Sequence, residues 1–130
     1  MTKTETAKTL LRRVFVRDDE NAAEYYTIDG KLDGEYKEWH RNGRLYKHCH
    51  YKDDKLDGKY KEWHDNGSLW IHCYYKDGEP DGEYKTWHKN GKLFVRCYYK
   101  NDKLNGEYKE WYENGQLLEH CYYKNGVKVK

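Results

Sequence analysis

Four cysteines recur at regular intervals of 24 residues, and thiols are among the side chains that form disulfides or hold zinc ions. If each interval forms one β-hairpin, equivalent residues of neighbouring intervals lie two strands, or about 9.5 to 10 Å, apart. The Cα atoms of a disulfide lie less than about 7 Å apart. We therefore predict four free thiols, buried as small side chains in one row: Cys49, Cys73, Cys97 and Cys121.

The first of these cysteines lies between two histidines, so His48, Cys49 and His50 form a second pattern typical of metal ligands. Successive residues of a strand point to opposite faces, so the thiol cannot easily join both imidazoles in one site. The other three intervals replace one or both histidines with Tyr or Arg. The pattern therefore predicts surface or half-buried histidines, and we predict no metal site.

Nucleophilic and acid–base catalysis find little support in the sequence. Ser68 is the only serine, and it belongs to no Ser-His-Asp pattern. Glu38 and Glu62 occupy one position of successive intervals, where cross-strand pairs with Lys are expected. No glycine-rich phosphate loop precedes a helix. Because a repeat spreads identical chemistry over a surface, whereas catalysis needs one asymmetric pocket, we predict a protein that is not an enzyme, with no catalytic residue, no cofactor and no small-molecule substrate.

The elements that must position these residues are copies of one 24-residue unit. An Asn-Gly pair, typical of tight hairpin turns, lies between strand-favouring residues at about 35–40 and about 45–52. Each copy therefore predicts one β-hairpin, and the whole chain predicts an all-β fold, a single-layer twisted antiparallel sheet of consecutive hairpins. Ten positions are identical in four copies, and in the first copy they are Gly34, Tyr36, Lys37, Trp39, Asn42, Gly43, Leu45, Cys49, Tyr51 and Lys52.

The unit divides the chain into a cap, four repeats and a tail. In the cap, residues 1–30, Phe15 takes the position of Trp39 in a degenerate first hairpin. Threonines and a Leu pair predict a short helix within residues 1–13, and the tail at 127–130 is a predicted edge strand in which Lys discourages further pairing. About ten strands are expected in all. The four repeats are residues 31–54, 55–78, 79–102 and 103–126.

The length of the Asn-Gly turn decides which side chains share a face. With a three-residue loop and a Gly bulge, Trp39 lies opposite Leu45, and with a two-residue loop it lies opposite Tyr46. We favour the first, because it joins the most repeated apolar positions. It predicts one face with Trp39, Leu45, Cys49 and Tyr51, and another with Tyr36, Tyr46, His48 and His50. In either case, rows of equivalent aromatic residues hold the sheet together: Tyr36, Tyr60, Tyr84 and Tyr108, and Trp39, Trp63, Trp87 and Trp111.

Composition limits the partners. The net charge is +2, with 25 basic and 23 acidic residues interleaved, which argues against a nucleic-acid-binding protein held by a basic field. No apolar run is long enough to span a bilayer, and the first ten residues are too polar for a signal peptide, so we expect a cytoplasmic protein. Tyr-Tyr-Lys runs suit a membrane interface or packing within the sheet, and the neighbouring acids favour packing.

The pattern Gly-x-Tyr-x-x-Trp-x-x-Asn-Gly-x-Leu, followed by Cys-x-Tyr-Lys, resembles the variant subtype of the MORN repeat over residues 31–126. The chain departs from the family pattern in two respects: each copy has Trp in place of the commoner Tyr, and each copy contains a Cys. The resemblance implies a scaffold without a catalytic centre, built as a single-layer sheet of hairpins, which binds protein partners and self-associates. It also implies a bacterial or giant-virus source, and for the latter a place in the host cytoplasm or the virion.

We therefore predict a non-enzymatic scaffold that mediates protein–protein interaction and forms a homodimer. The alternative is a peripheral binder of anionic phospholipid membranes, which the near-neutral charge disfavours. Exposed aromatic residues make good anchors for a partner, and the candidates are Tyr46, Trp70, Phe94, Tyr74 and Tyr98. The candidates for lipid contact are Lys52, Lys76, Lys100 and Lys124.

Overall fold

A computed structural model describes residues 11–19 and 21–130, which form one antiparallel sheet of fourteen strands. The predicted all-β, single-sheet fold is confirmed. Ten strands are six to nine residues long: β1 (Leu11–Arg17), β2 (Ala22–Ile28), β3 (Lys31–Trp39), β4 (Leu45–Lys52), β6 (Gly58–Trp63), β7 (Leu69–Lys76), β9 (Gly82–Trp87), β10 (Leu93–Lys100), β12 (Gly106–Trp111) and β13 (Leu117–Lys124). Four have two residues each: β5 (Lys55–Leu56), β8 (Glu79–Pro80), β11 (Lys103–Leu104) and β14 (Val127–Lys128).

The long strands lie side by side in chain order, with β1 at one edge and β13, partly covered by β14, at the other. Three short strands pair with the strand before them: β5 with β4, β8 with β7 and β11 with β10. Each is followed within two residues by the next long strand of the path. The prediction of about ten strands therefore describes the long ones, and β5, β8 and β11 arise because the first strand of each later repeat is interrupted.

A three-residue loop joins the two strands of each repeat. In the first repeat, the His40 N–H donates to Arg44 O (2.7 Å) and the Gly43 N–H donates to His40 O (2.9 Å). Gly43 has a φ of 88°, in the left-handed region that the third loop residue of such a turn requires. Trp39 consequently lies opposite Leu45, which confirms the favoured turn.

A β-bulge beside this loop reverses the expected side-chain alternation. Glu38 lies opposite Lys47 and Trp39 opposite Leu45, so Tyr46 is an extra residue. The Lys47 ammonium lies 5.9 Å from the Tyr46 ring centroid and 6.0 Å from that of Tyr36, which places Tyr46 and Lys47 on the same face as Tyr36. Leu45 therefore lies on the other face, although simple counting puts it with Cys49.

The predicted composition of the two faces was consequently half wrong. The tyrosine face carries Tyr36, Tyr46, Cys49 and Tyr51, because Tyr36 pairs with Cys49 and its ring lies 5.5 Å from that of Tyr51. The tryptophan face carries Trp39 and Leu45 together with Glu35, Lys37, His48 and His50. Cys49 and Tyr51 thus lie on the face opposite to the predicted one, and so do His48 and His50.

Two-residue turns connect successive hairpins. Asp53 and Asp54 have φ values of 49° and 68°, the pattern of a type I′ turn, in which short polar residues tolerate positive φ. The Leu32 N–H donates to Asp54 Oδ1 (2.7 Å), and the Asp54 N–H donates to Leu32 O (2.9 Å), so this turn also contacts the start of β3. Neighbouring connections are therefore held to each other at one end of the hairpins.

The cap contains a hairpin in which β1 pairs with β2. Phe15 packs 6.3 Å from the Trp39 ring centroid, at the start of the tryptophan row. The helix predicted within residues 1–13 is wrong for Leu11–Arg13, which begin β1, because an extended chain there extends the sheet by one strand. The rest of that prediction lies outside the described residues.

Candidate interaction surface

The tyrosine face is a repeated network of rings, carboxylates and thiols. The Tyr36 hydroxyl donates to Glu38 (2.9 Å), the Tyr108 hydroxyl donates to Glu110 (2.9 Å), and the Tyr60 hydroxyl donates to Glu62. Burial and these carboxylates raise the pKa of the three phenols, which therefore stay protonated at physiological pH. In the third repeat Thr86 takes the place of the carboxylate.

The four cysteines lie beneath these rings, each between 0 and 3% exposed, and all four are free, as predicted. Burial raises the pKa of the Cys49 and Cys73 thiols to about 12 and that of Cys97 to about 11. The thiolate is the reactive form of cysteine. The row therefore provides packing, and its thiols stay protonated at neutral pH.

The Asn-Gly turns clamp each repeat to the next one. His40 Nε2 lies 2.9 Å from Trp63 O, and Asn42 Nδ2 donates to Asp65 O (2.8 Å). The following turns repeat both bonds, from His64 to Trp87 O and Asn66 to Lys89 O, and from His88 to Trp111 O and Asn90 to Glu113 O. Sequence reasoning missed this role of histidine, although a His after the Trp in three of four copies was the available signal.

An apolar row runs beside these histidines on the tyrosine face, and we define it as Tyr46, Trp70, Phe94 and Leu118. The ring centroids of Tyr46, Trp70 and Phe94 lie 4.8, 5.0 and 4.2 Å from those of the preceding histidines. Trp70 is 37% exposed and Leu118 is 44% exposed, whereas Tyr46 and Phe94 are half-buried. The row therefore offers apolar surface that the hairpins themselves leave partly uncovered.

The structure does not bring the five predicted partner contacts together. Tyr46, Trp70 and Phe94 lie in the apolar row, while Tyr74 and Tyr98 lie on the tryptophan face, opposite Lys59 and Glu83. Tyr74 packs 5.3 Å from the His72 ring, and the Arg96 guanidinium lies 5.8 Å from the Tyr98 ring. One partner surface therefore cannot use all five residues from a single side of the sheet.

The lysines predicted to contact lipid are all exposed at the ends of their strands, next to the connecting turns. Lys52 and Lys100 pair with Lys55 and Lys103, whereas Lys76 pairs with Glu79. Aspartates of the turns, such as Asp53 and Asp54, follow directly in the chain. Acids therefore accompany Lys52, Lys76 and Lys100, whereas Lys124 is followed by Asn125 and pairs with Val127.

One group of side chains in the described residues has the spacing of metal ligands. Glu35, His48 and His50 each offer a ligand atom, and these atoms lie within 4.8 Å of one another on the tryptophan face. His48 Nε2 lies 2.9 Å from Glu35 Oε2, and this hydrogen bond lowers the pKa of the Glu35 carboxyl. Sequence reasoning considered Cys49 as the partner of the histidines and overlooked Glu35, which lies across the hairpin.

A protein-family model described as MORN repeat variant matches four stretches of the chain, at residues 32–53, 56–77, 80–101 and 104–125. The chain belongs to this family. MORN repeats are known from scaffolds that bind proteins or membranes, and the family is generally non-enzymatic. The geometry agrees with the match, because each stretch covers one clamped hairpin with its connecting turn.

No curated protein matches this MORN repeat chain. Within its described residues, the structure contains no helix of the length and apolarity needed to cross a membrane.

Proposed function

We propose that this MORN repeat protein is a non-enzymatic scaffold that binds protein partners through the apolar row and forms a homodimer through its C-terminal edge. One observation carries the proposal: the apolar row extends through the array and ends on β13, an edge strand that the described residues cover only in part. Tyr46, Trp70 and Phe94 lie within the array, and Leu118 lies on β13, the last long strand.

The C-terminal edge has backbone groups to offer to another strand. In β10, Val95 and Arg96 pair with Glu110 and Lys109 of the next hairpin. The equivalent residues of β13, Glu119 and His120, face no further hairpin among residues 11–19 and 21–130, since residues 127–130 pair with β13 only at Tyr122, Tyr123 and Lys124. Unpaired strand edges readily pair with a strand of another chain.

Apolar side chains accompany this edge. Leu117 is 51% exposed, and Leu118 is 44% exposed. Two β13 strands that pair antiparallel would bury both leucines about a two-fold axis and would join the two apolar rows into one longer surface. A dimer of this kind doubles the number of partner contacts without a new binding site.

The self-association part is tested by the mass of the purified chain in solution, measured by light scattering. We expect a dimer for the natural chain and a monomer for the Leu117→Lys/Leu118→Lys double variant, because charge on an edge blocks strand addition. Leu11→Lys is the matched control, since Leu11 is 53% exposed on the opposite edge. A monomeric natural chain, or a double variant that stays dimeric, contradicts the proposed interface.

The partner-binding part is tested by quantitative capture of proteins with three forms of the chain. Trp70→Ala/Phe94→Ala should lose partners that the natural chain retains, while Tyr74→Ala/Tyr98→Ala, on the opposite face, should keep them. Circular dichroism must show that all three fold. Equal losses in both double variants, or in neither, would refute the assignment to the apolar row.

The same preparations test the membrane alternative by co-sedimentation with anionic and neutral vesicles at low and physiological salt. The acids beside Lys52, Lys76 and Lys100 predict no salt-sensitive pelleting, because each basic residue contributes only about 1 kcal/mol near an anionic surface. Pelleting with anionic vesicles alone would contradict the protein-binding scaffold and support a membrane-binding one.

A further inference from the structure

The cluster of Glu35, His48 and His50 on the tryptophan face is a donor set that the scaffold role does not use. Glu35 of β3 lies directly opposite His50 of β4, and His48 lies two residues along the same strand. Alternate residues of a strand share a face, so both imidazoles point to the side of Glu35, while Cys49 points away. The sheet register itself therefore brings two nitrogens and one oxygen together.

The distances suit a small ion. The three ligand atoms lie within 4.8 Å of one another. Tetrahedral coordination with bonds of about 2.0 to 2.2 Å needs donors roughly 3.4 Å apart, so only small side-chain rotations are required. The side chains of His48 and Glu35 are 30% and 41% exposed, so the ion has access from solvent and water can complete its coordination.

Comparison of the four repeats shows that this donor set is not needed for the fold. The equivalent residues are Lys59, His72 and Tyr74 in the second repeat, Glu83, Arg96 and Tyr98 in the third, and Glu107, His120 and Tyr122 in the fourth. Each of these hairpins forms with the same register as the first. Only the first repeat combines a carboxylate with two imidazoles.

The neighbouring charges oppose a cation and limit its affinity. Lys37 of β3 and Lys61 of β6 lie opposite His48 on either side, and the Lys37 ammonium lies 3.8 Å from Glu35. Magnesium and calcium depend on several oxygen ligands, and this donor set offers a single carboxylate, so neither ion fits the site. Imidazole nitrogen favours zinc, copper and nickel, whose bonds to it do not rely on net negative charge.

We propose that Glu35, His48 and His50 form a surface site for one divalent transition-metal ion, with the remaining coordination positions open to water or to a donor group of a docked molecule. The site would give the first repeat a chemical identity that the other three lack. It lies on the tryptophan face, away from the apolar row, and so does not compete with it.

The experiment is calorimetric titration of the tag-free full chain with Zn²⁺ at pH 7.5 after removal of metals by a chelator. We expect one ion per chain. His50→Tyr is the decisive variant, because it gives the first repeat the Glu-His-Tyr set that the fourth repeat already folds with. The affinity of His50→Tyr for Zn²⁺ should fall by at least about tenfold, since loss of one imidazole leaves two donors. His72→Gln, which lies outside the cluster, is the control and should bind as the natural chain does.

A second test is to create the same metal site in the fourth repeat. His120 Nε2 lies 2.9 Å from Glu107 Oε2, the same arrangement as His48 and Glu35, and Tyr122 occupies the position of His50. Tyr122→His should therefore raise the stoichiometry from one ion to two. No binding by the natural chain, an unchanged affinity in His50→Tyr, or no second ion in Tyr122→His would each overturn the proposal.

Discussion

The two faces of the sheet differ in what their residues are used for. On the tyrosine face, rings, thiols and most carboxylates recur from repeat to repeat, and the buried residues of the repeats, the four cysteines and Glu62 (9% exposed), all lie there. On the tryptophan face, each of the positions of Glu35, His48 and His50 carries a different residue type in one of the four copies, so that no two copies have the same combination. The tyrosine face therefore contains the buried residues of the repeats, while the tryptophan face tolerates variation at these three positions and can carry chemistry particular to one repeat.

The largest loss of stability is expected when a side chain on the tyrosine face is truncated, and this loss would sharpen the comparison between the faces. Tyr60 packs 5.3 Å from Tyr75 and donates to Glu62. Tyr60→Ala removes both the ring contact and a partner of a buried carboxylate, so we expect a loss of about 3 kcal/mol in the free energy of unfolding. Urea denaturation followed by circular dichroism measures it.

Tyr74→Ala is the matched control in the same hairpin, since Tyr74 lies on the tryptophan face and is 36% exposed. We expect it to cost less than about 1 kcal/mol. If both variants lose equal stability, the two faces share the structural role and the contrast between them fails.

A smaller effect is expected from alkaline pH. Burial raises the pKa of Cys73 from 9.0 to about 12 and that of Tyr75 to about 12, so the folded state keeps protons that the unfolded chain releases. The stabilisation from these groups is present below the unfolded pKa values and is lost as pH rises toward 12. Denaturation midpoints measured between pH 8 and pH 11 should fall steadily, and less steeply in Cys73→Ala. A flat profile would show that the cysteine row is open to solvent.

The smallest effect is expected from the clamps between turns. Asn66→Ala removes the hydrogen bond from Nδ2 to Lys89 O and the bonds that Oδ1 accepts from the Ser68 N–H (2.9 Å) and hydroxyl (2.8 Å), which should cost about 1 kcal/mol by urea denaturation. Asn114→Ala is its counterpart in the last repeat, where Oδ1 accepts from the Gln116 N–H (2.9 Å) and Nδ2 donates only to Gln116 Oε1 (3.4 Å), so its effect should be smaller still. An equal loss at the two positions would mean that the bond to the next repeat contributes nothing.

Much of the fold follows from the sequence because the repeat fixes its own period. Asn42-Gly43 predicts the hairpin turn. The length of the loop, three residues, follows from pairing Trp39 with Leu45, the most repeated apolar residues. The faces could not be read correctly by alternation, because the bulge at Tyr46 puts two successive residues on one side. A bulge depends on how the loop closes, and the period alone does not reveal it.

The candidate sites were less predictable, because they depend on residues that meet across strands. The pairing of Glu35 with His50 needs the register of β3 on β4, in which one residue of slip would send the carboxylate to the opposite face. The role of His40 needs the Trp63 carbonyl of the next repeat. Repeated positions therefore predict architecture, whereas particular contacts require the register to be known.

The bonds from His40, His64 and His88 all point in the same direction along the chain, each to a carbonyl 23 residues later. Because each of these hydrogen bonds joins a repeat only to the next one, the contacts of the sheet are local in sequence, and local contacts favour rapid folding. During synthesis on the ribosome, each hairpin can close as it emerges and then receive the following one about one repeat later. The nascent protein can thus grow stepwise from its amino terminus, without waiting for its last residues.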